Sequence, residues 1–406
     1  MKTIMKAYKY KLSPSFKQQE LLNEYMGINR FVWNKLLRMN LDRLEHKHNL
    51  LWRDEASFWL KTWKLGKEYA FLKNAPSQTL QQTIANQATA FKDCFDKKQA
   101  LKRLPRFKKA GRSDPGLTFP QGFTYCAKSK RVKLPKLGWI NLRFDREALG
   151  EIRSMTITRK SGKYYVSVLT KQEVMANTGA TTSIGIDVGI KNFVTLSNGE
   201  MITPFKDRKR IKRLNWRIKV LQRRLAKKKK SSNNWNKTKL QIAKKHSKVT
   251  NIRRDFLHKL STTISKNHAM VAVEDLKVKN MSKSAKGTID NPGSNVKAKS
   301  GLNKAILAQG WSMFVDMLEY KLDWNGGVLV KVDPKHTSQQ CPECSHISKE
   351  NRQTQAEFEC VSCGYDNNAD IVGAINILAR GHWAVASGAD ALATAVNEEP
   401  SMRLVA

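Results

Sequence analysis

Ser183-Ile-Gly-Ile-Asp187-Val-Gly-Ile190 is the stretch that decides the fold. Its apolar residues read as a short buried strand, yet the strand ends on a carboxylate, Asp187, flanked by Gly185 and Gly189. Burying a carboxylate beside such a core is costly unless a partner balances its charge, and a divalent cation is one such partner. Working outward, the same situation recurs where the apolar run Ala269-Met-Val-Ala-Val ends on Glu274. A third acid, Asp370, opens Ala369-Asp-Ile-Val-Gly-Ala-Ile-Asn376-Ile, which reads as a helix packing Ile371, Ala374 and Ile375 inward. Taken singly, each acid has a plainer reading as a turn or helix cap, and Asp275 competes with Glu274 for the inward position.

Strand end, strand end and helix is the order in which an RNase H-like sheet converges three carboxylates on Mg²⁺. Two such ions roughly 3.5–4 Å apart activate water and stabilise a leaving oxygen. Between the second and third acids lie Cys341-Pro-Glu-Cys344 and Cys360-Val-Ser-Cys363, separated by fifteen residues. Two tight knuckles carrying four thiolates close a tetrahedron around Zn²⁺ and leave no open position, so one structural zinc is expected. Gly364 gives the second knuckle room to turn. Cys94 and Cys126 read as core or bystander thiols.

The surroundings of these acids are strongly basic. Lys and Arg number 74 against 34 Asp and Glu, a formal net charge of +40 over 406 residues. An excess of this size repels itself and points to an extended polyanion as partner. No apolar stretch has transmembrane length and no signal-peptide core is evident, which disfavours a membrane and favours a reducing cytoplasm. From Lys206 to Lys259 there are 22 Lys and Arg against Asp207 and Asp255 alone. A solvated hairpin is the plainer reading of that run; phosphate contact explains its excess better. Candidates are Lys212, Arg213, Arg223, Arg224, Arg253 and Arg254, with Arg106, Lys108 and Lys109 in an earlier Pro- and Lys-rich connector. Trp216 and Trp235 are candidates for base stacking, with core packing the alternative.

The chain reads as an α+β multidomain protein. Residues 1–12 alternate as a strand, 13–105 carry helical periodicity, and 106–171 hold further short strands, including a hairpin at Ser161-Gly162. Together these suggest a small β-barrel with a helical insertion after its first strand. A linker over 172–182 leads to a nuclease-like domain at 183–335, with an αα-hairpin over 206–267 and a helix from about 303 to 324. The cysteine ribbon occupies 336–366, a last helix 367–380, and 381–406 show no core pattern.

These residues resemble the TnpB family, the OrfB proteins of insertion sequences. The likeness is carried by Gly185-Ile-Asp187-Val-Gly-Ile-Lys, Arg253-Arg-Asp-Phe-Leu-His-Lys259, Val273-Glu274-Asp-Leu and Thr337-Ser-Gln-Gln-Cys341 with its ribbon. Asp370…Ala374-Ile-Asn376-Ile, Phe31-Val-Trp-Asn34 and Leu134-Pro-Lys-Leu-Gly-Trp139 extend it. The resemblance implies a wedge β-barrel, a helical recognition lobe and a RuvC nuclease domain interrupted by a zinc ribbon. It implies an RNA-guided DNA endonuclease, related to type V CRISPR effectors, with Asp187, Glu274 and Asp370 as its Mg²⁺-binding acids. It further implies a monomeric ribonucleoprotein with a guide RNA from the transposon end. Its double-stranded DNA target would carry an adjacent motif read near Ser77 and Gln81. In one respect the chain departs from the family. Where the third motif usually has Asn and two alanines, it has Val372, Gly373 and Ala374, so a hydrogen-bonding group near the acids is expected to be missing. That departure keeps open a nuclease-inactive RNA-guided regulator; a strand-transferring transposase is the other alternative.

Overall fold

The structure, a computed structural model, describes residues 2–96, 103–110, 116–175, 179–205 and 209–388. It divides into two compact units, Thr3–Val174 and the remainder, to which Lys2 at the start of the first strand also belongs.

The first unit begins with β1 (Lys2–Ser13), whose alternation buries Ile4, Tyr8, Tyr10 and Leu12. Ser15 then starts α1 (Phe16–Glu45) with a capping box: its hydroxyl accepts from Gln18 N, and the Gln18 side chain accepts from Ser15 N. Next come α2 (Arg53–Leu65), a 3₁₀ turn (Lys67–Lys73) and α3 (Ser77–Phe95). A buried polar seam fixes α1 against α3. Asn29 donates to Thr79 Oγ1 at 3.1 Å and accepts from Thr83 Oγ1 at 2.6 Å, while Gln87 donates to the Trp33 carbonyl. The strands are β2 (Leu117–Phe119), β3 (Thr124–Cys126), β4 (Arg131–Leu134), β5 (Gly138–Arg143), β6 (Glu151–Lys160) and β7 (Lys163–Val174).

With β1 they form a seven-stranded sheet in the order β2-β6-β7-β1-β5-β4-β3. The sheet curls as a half-barrel whose edges, β2 and β3, do not pair, so the expected barrel is open. Both edge strands are only three residues long, too short for a period of two to announce them. The hairpin at Ser161-Gly162 is as the sequence predicts, with both residues at positive φ, whereas β7 continues to Val174, into the expected linker.

In the second unit β8 (Ser183–Asp187), β9 (Val194–Leu196) and β10 (Met201–Ile202) form an antiparallel meander. The hairpin of α4 (Lys209–Ala226) and α5 (Asn233–Asn267) leads to β11 (Met270–Glu274), which lies parallel to β8. After α6 (Val278–Met281), α7 (Val296–Gln309) and α8 (Trp311–Asn325), β12 (Val328–Val332) joins β11, also in parallel. The sheet order β10-β9-β8-β11-β12 is that of an RNase H-like core. The single helix expected over 303–324 is two, because Gly310 stands at φ +81° and any side chain there would press on Arg253 Cδ. A hairpin of β13 (Glu357–Glu359) and β14 (Asp366–Asn368) precedes α9 (Ala369–Ala386). That helix outruns the expected end at 380 by six residues, of which Gly381 is buried; residues 389–406 lie outside the described part, as do 206–208 of the hairpin.

Candidate active site and metal centre

Strand parity and register bring the acids together. Met270 pairs with Ser183 and Val273 with Ile186, so the same register carried one residue further sets Glu274 against Asp187. Side chains alternate across a strand. Ile184, Ile186, Val271 and Val273 pack on one face with α5 and α8. The opposite face, which carries Gly185, Asp187, Ala272 and Glu274, is the one α9 covers. Gly185 lets α9 lie directly on β8: a Cβ there would stand 2.1 Å from the Ala374 carbonyl oxygen. Asp370 sits in the first turn of that helix, where the aligned peptide dipoles favour a negative charge. Asn368 caps the turn by accepting from Asp370 N at 3.0 Å.

Two of the carboxylates act on the third. Burial pushes the Asp187 carboxyl up to about 7, and the charges of Glu274 and Asp370 push in the same direction. Arg352, from the ribbon, opposes that rise and lies 3.6 Å from Asp370 Oδ1. Burial also raises Glu274, against the hydroxyl of Thr337, which donates to Oε1 at 2.6 Å, and the charge of Arg380. The alternative acid, Asp275, points elsewhere, pairing with Lys277 with its side chain about half exposed. The acids are not drawn together as tightly as the cysteines. Among the described residues the quartet Cys341, Cys344, Cys360 and Cys363 is the group whose ligand atoms all fall within 4.8 Å.

That quartet fits a tetrahedral ion. Zn–S bonds of about 2.3 Å imply sulfur–sulfur separations of about 3.8 Å. Cys341 and Cys363 stand 3.6 Å apart and Cys344 and Cys360 3.5 Å apart. The two knuckles repeat one geometry. Ser345 N donates to the Cys341 carbonyl as Gly364 N does to that of Cys360, and both residues have positive φ. The sequence marked only Gly364 for this role, since a serine at such a position carries no signature.

The basic candidates separate by environment. Lys212, Arg213, Arg223 and Arg224 are exposed on α4, as are Ser77 and Gln81 on α3 and Arg106 and Lys109 in the connector. Lys64 donates to Ser77 Oγ at 3.1 Å. Lys108 is turned inward: its ammonium lies 3.7 Å from the centroid of the Trp33 ring, and burial lowers it to about 8. Arg253 is packed as well, its guanidinium over Phe205 and its Nη1 donating to the Leu307 carbonyl at 3.4 Å. Arg254 is half-buried. Trp216 is exposed, and Trp235 is half-buried beneath Lys239.

Three family profiles match the chain: "Probable transposase" of the OrfB_IS605 type over residues 166–285, a Cas12f1-like TNB domain over 311–377, and an OrfB_IS605 helix-turn-helix domain over 1–49. The protein of Escherichia coli (strain K12) named "Putative RNA-guided DNA endonuclease InsQ" is 42% identical over 389 residues, covering 95% of this chain and 94% of its own. The chain belongs to the TnpB (OrfB) family. A second TnpB-type relative, from Streptomyces pristinaespiralis and named in the same terms, is 31% identical over 394 residues, 96% of this chain and 92% of that one. Among solved structures, the mini-RNA-guided endonuclease CRISPR-Cas_phi3 aligns over 93% of this chain and 92% of its own, at 12% identity and a TM-score of 0.40.

The departure from the TnpB pattern has a structural explanation. Val372 is fully buried in a cluster with Cys341, Phe358, Cys360 and Ala369, so its side chain packs beneath the ribbon. Gly373 is the residue under the acids: a Cβ there would meet Asp187 Oδ2 at 3.4 Å. The inward stripe of α9 is therefore Ala369, Val372, Gly373, Asn376 and Ile377, with Ala374 facing β8. Ile371 and Ile375, expected inside, are only half-buried. Arg352, Thr337 and Arg380 are the site residues the pattern reading passed over. Nothing local distinguishes Arg352 from other basic residues of a basic chain.

Proposed function

We propose that the chain is a transposon-encoded, RNA-guided DNA endonuclease that hydrolyses phosphodiesters at Asp187, Glu274 and Asp370. The observation that carries this reading is the convergence of the three carboxylates where β8 and β11 end under α9, close enough for two of them to raise the third. Mutual repulsion in a buried site calls for cations, and these three side chains would hold Mg²⁺. Such ions, when bound, lower the pKa of water and neutralise charge at the transferred phosphate. The chain's own part is to keep the carboxylates preorganised. Thr337 fixes one oxygen of Glu274, Asn368 caps the turn carrying Asp370, and Arg352 adds a positive charge beside it. The four cysteines would hold one structural Zn²⁺, whose knuckles carry the Arg352 loop between them.

The exposed basic face of α4 would grip the phosphates of a guide RNA and of the DNA, giving affinity, while RNA–DNA pairing gives sequence choice. Ser77 and Gln81 at the start of α3 would read the target-adjacent motif. A cytoplasmic ribonucleoprotein agrees with the absence, among the described residues, of any helix long and apolar enough to cross a membrane. The packing of Val372 under the ribbon weighs against the inactive regulator, since that side chain belongs to the cluster of Cys341, Phe358 and Cys360. The test is purification with the native transposon flank, sequencing of the bound RNA, and incubation with Mg²⁺ and a plasmid library carrying the matched target beside randomised flanks. Cuts that depend on the guide and on one enriched flank are expected; bound RNA without cuts favours the regulator.

A further inference from the structure

The loop between β12 and the first knuckle is tied down on every side. β12 ends at Val332, which the register sets against Glu274, so the chain leaves the sheet beside that acid. On α9, Asn376 is buried and donates both amide hydrogens to this loop, to the Thr337 carbonyl at 2.8 Å and the Gln340 carbonyl at 2.7 Å. A side-chain amide has two donor hydrogens, so its capacity is fully used. One turn on, Arg380 donates to the carbonyls of Asp333 and Lys335 and to Gln340 Oε1, at 2.9, 2.6 and 2.9 Å. From the ribbon, Asn351 donates to the Gln339 carbonyl at 2.9 Å. The residue so held, Thr337, is 4% exposed and donates to Glu274 Oε1 at 2.6 Å, with the Pro334 carbonyl a longer alternative at 3.2 Å.

We propose that Thr337 is a positioning residue for Glu274, and that Asn376 and Arg380 form the clamp through which α9 and the cysteine ribbon set its place. A short bond from a hydroxyl to a carboxylate is charge-assisted and directional. It orients one oxygen and leaves the other for a metal ion. Partners of this kind around metal-binding groups typically change metal affinity or activity by about 10- to 100-fold when removed. The geometry also makes the ribbon more than a neighbour of the site, because the chain that enters Cys341 is the chain that holds Glu274. This inference rests on reading the three acids as a metal site.

The experiment uses the full chain purified with its RNA, as wild type, Thr337→Val, Thr337→Ser and Asp187→Ala. Free Mn²⁺ is followed by electron paramagnetic resonance during a titration, with Asp187→Ala defining the RNA background, and each complex is also melted. Thr337→Val is expected to weaken Mn²⁺ binding at the protein site by about 10-fold or more, with Thr337→Ser within about threefold of wild type. The Mn²⁺ needed for half-maximal cleavage should rise by the same factor, with melting temperature little changed. Thr337→Ala carries the same expectation should the valine variant melt early. Wild-type Mn²⁺ affinity in Thr337→Val, or a serine variant as deficient as the valine one, overturns the role of Thr337. If Asp187→Ala binds Mn²⁺ as wild type does, the metal reading of the acids fails, and the positioning role falls with it.

Discussion

At the residue scale the central fact is that Asp187 resists ionisation. Its carboxyl, raised to about 7 by burial and by two like charges, keeps a proton over the range in which an unfolded aspartate has lost it. The unfolded chain then binds fewer protons than the folded one, so folding stability falls as pH rises from about 4 to about 7 and levels off above that. Without divalent metal, Asp187→Asn should therefore melt higher than wild type at pH 7.5 and match it near pH 4, in paired thermal scans. A wild type that keeps its stability across that window would mean the charge is already compensated. Val372→Asn tests the departure from the family pattern. It would bury an amide among Phe358, Cys341 and Cys360 and should cost about 1–3 kcal/mol in denaturant unfolding without raising the cleavage rate. A faster enzyme would return that position to the acids. The acids and cysteines were legible because their signals are local: an apolar strand that ends on a carboxylate, and two knuckles at metal spacing. Thr337 and Arg352 were not, since each earns its place through a contact with a residue far along the chain, Glu274 and Asp370 respectively.

At the element scale, the site depends on α9 lying flat on β8. Gly185→Ala would drive a methyl into the Ala374 carbonyl and lift the helix that carries Asp370. Overpacking of this kind costs about 1–3 kcal/mol, and cleavage should fall further than stability alone explains; urea unfolding and initial cutting rates measure the two. That β8 and β11 both end on acids was legible in two apolar runs; the register that sets Glu274 against Asp187 comes only with the fold. Of the three α9 residues expected inside, Ala374 is buried, whereas Ile371 and Ile375 are only half-buried, because small residues fill the close helix–sheet contact. The proposed ribbon zinc would act at this scale too. If the four cysteines hold it, Cys360→Ser should release about one zinc per chain by metal analysis and loosen the loop at Thr337.

At the scale of the whole molecule, the net charge of +40 sets the terms of association. If the complex makes six to ten phosphate contacts, RNA affinity should drop roughly 10³- to 10⁵-fold between 50 and 200 mM salt. Replacing Arg223 and Arg224 by Ala should flatten the log–log slope by about 1–2, whereas Arg253→Ala should act mainly on stability, since its guanidinium packs on Phe205. Charge alone did not separate those two classes; the exposure that separates them comes only with the fold. The most direct measurement is cleavage of a guide-matched, motif-flanked plasmid by the purified ribonucleoprotein in Mg²⁺, wild type beside Asp187→Ala. Guide-dependent cutting by the wild type, with none by a variant that still holds its RNA, is the predicted result. Undiminished cutting by Asp187→Ala would contradict the assignment of the three carboxylates as the catalytic centre.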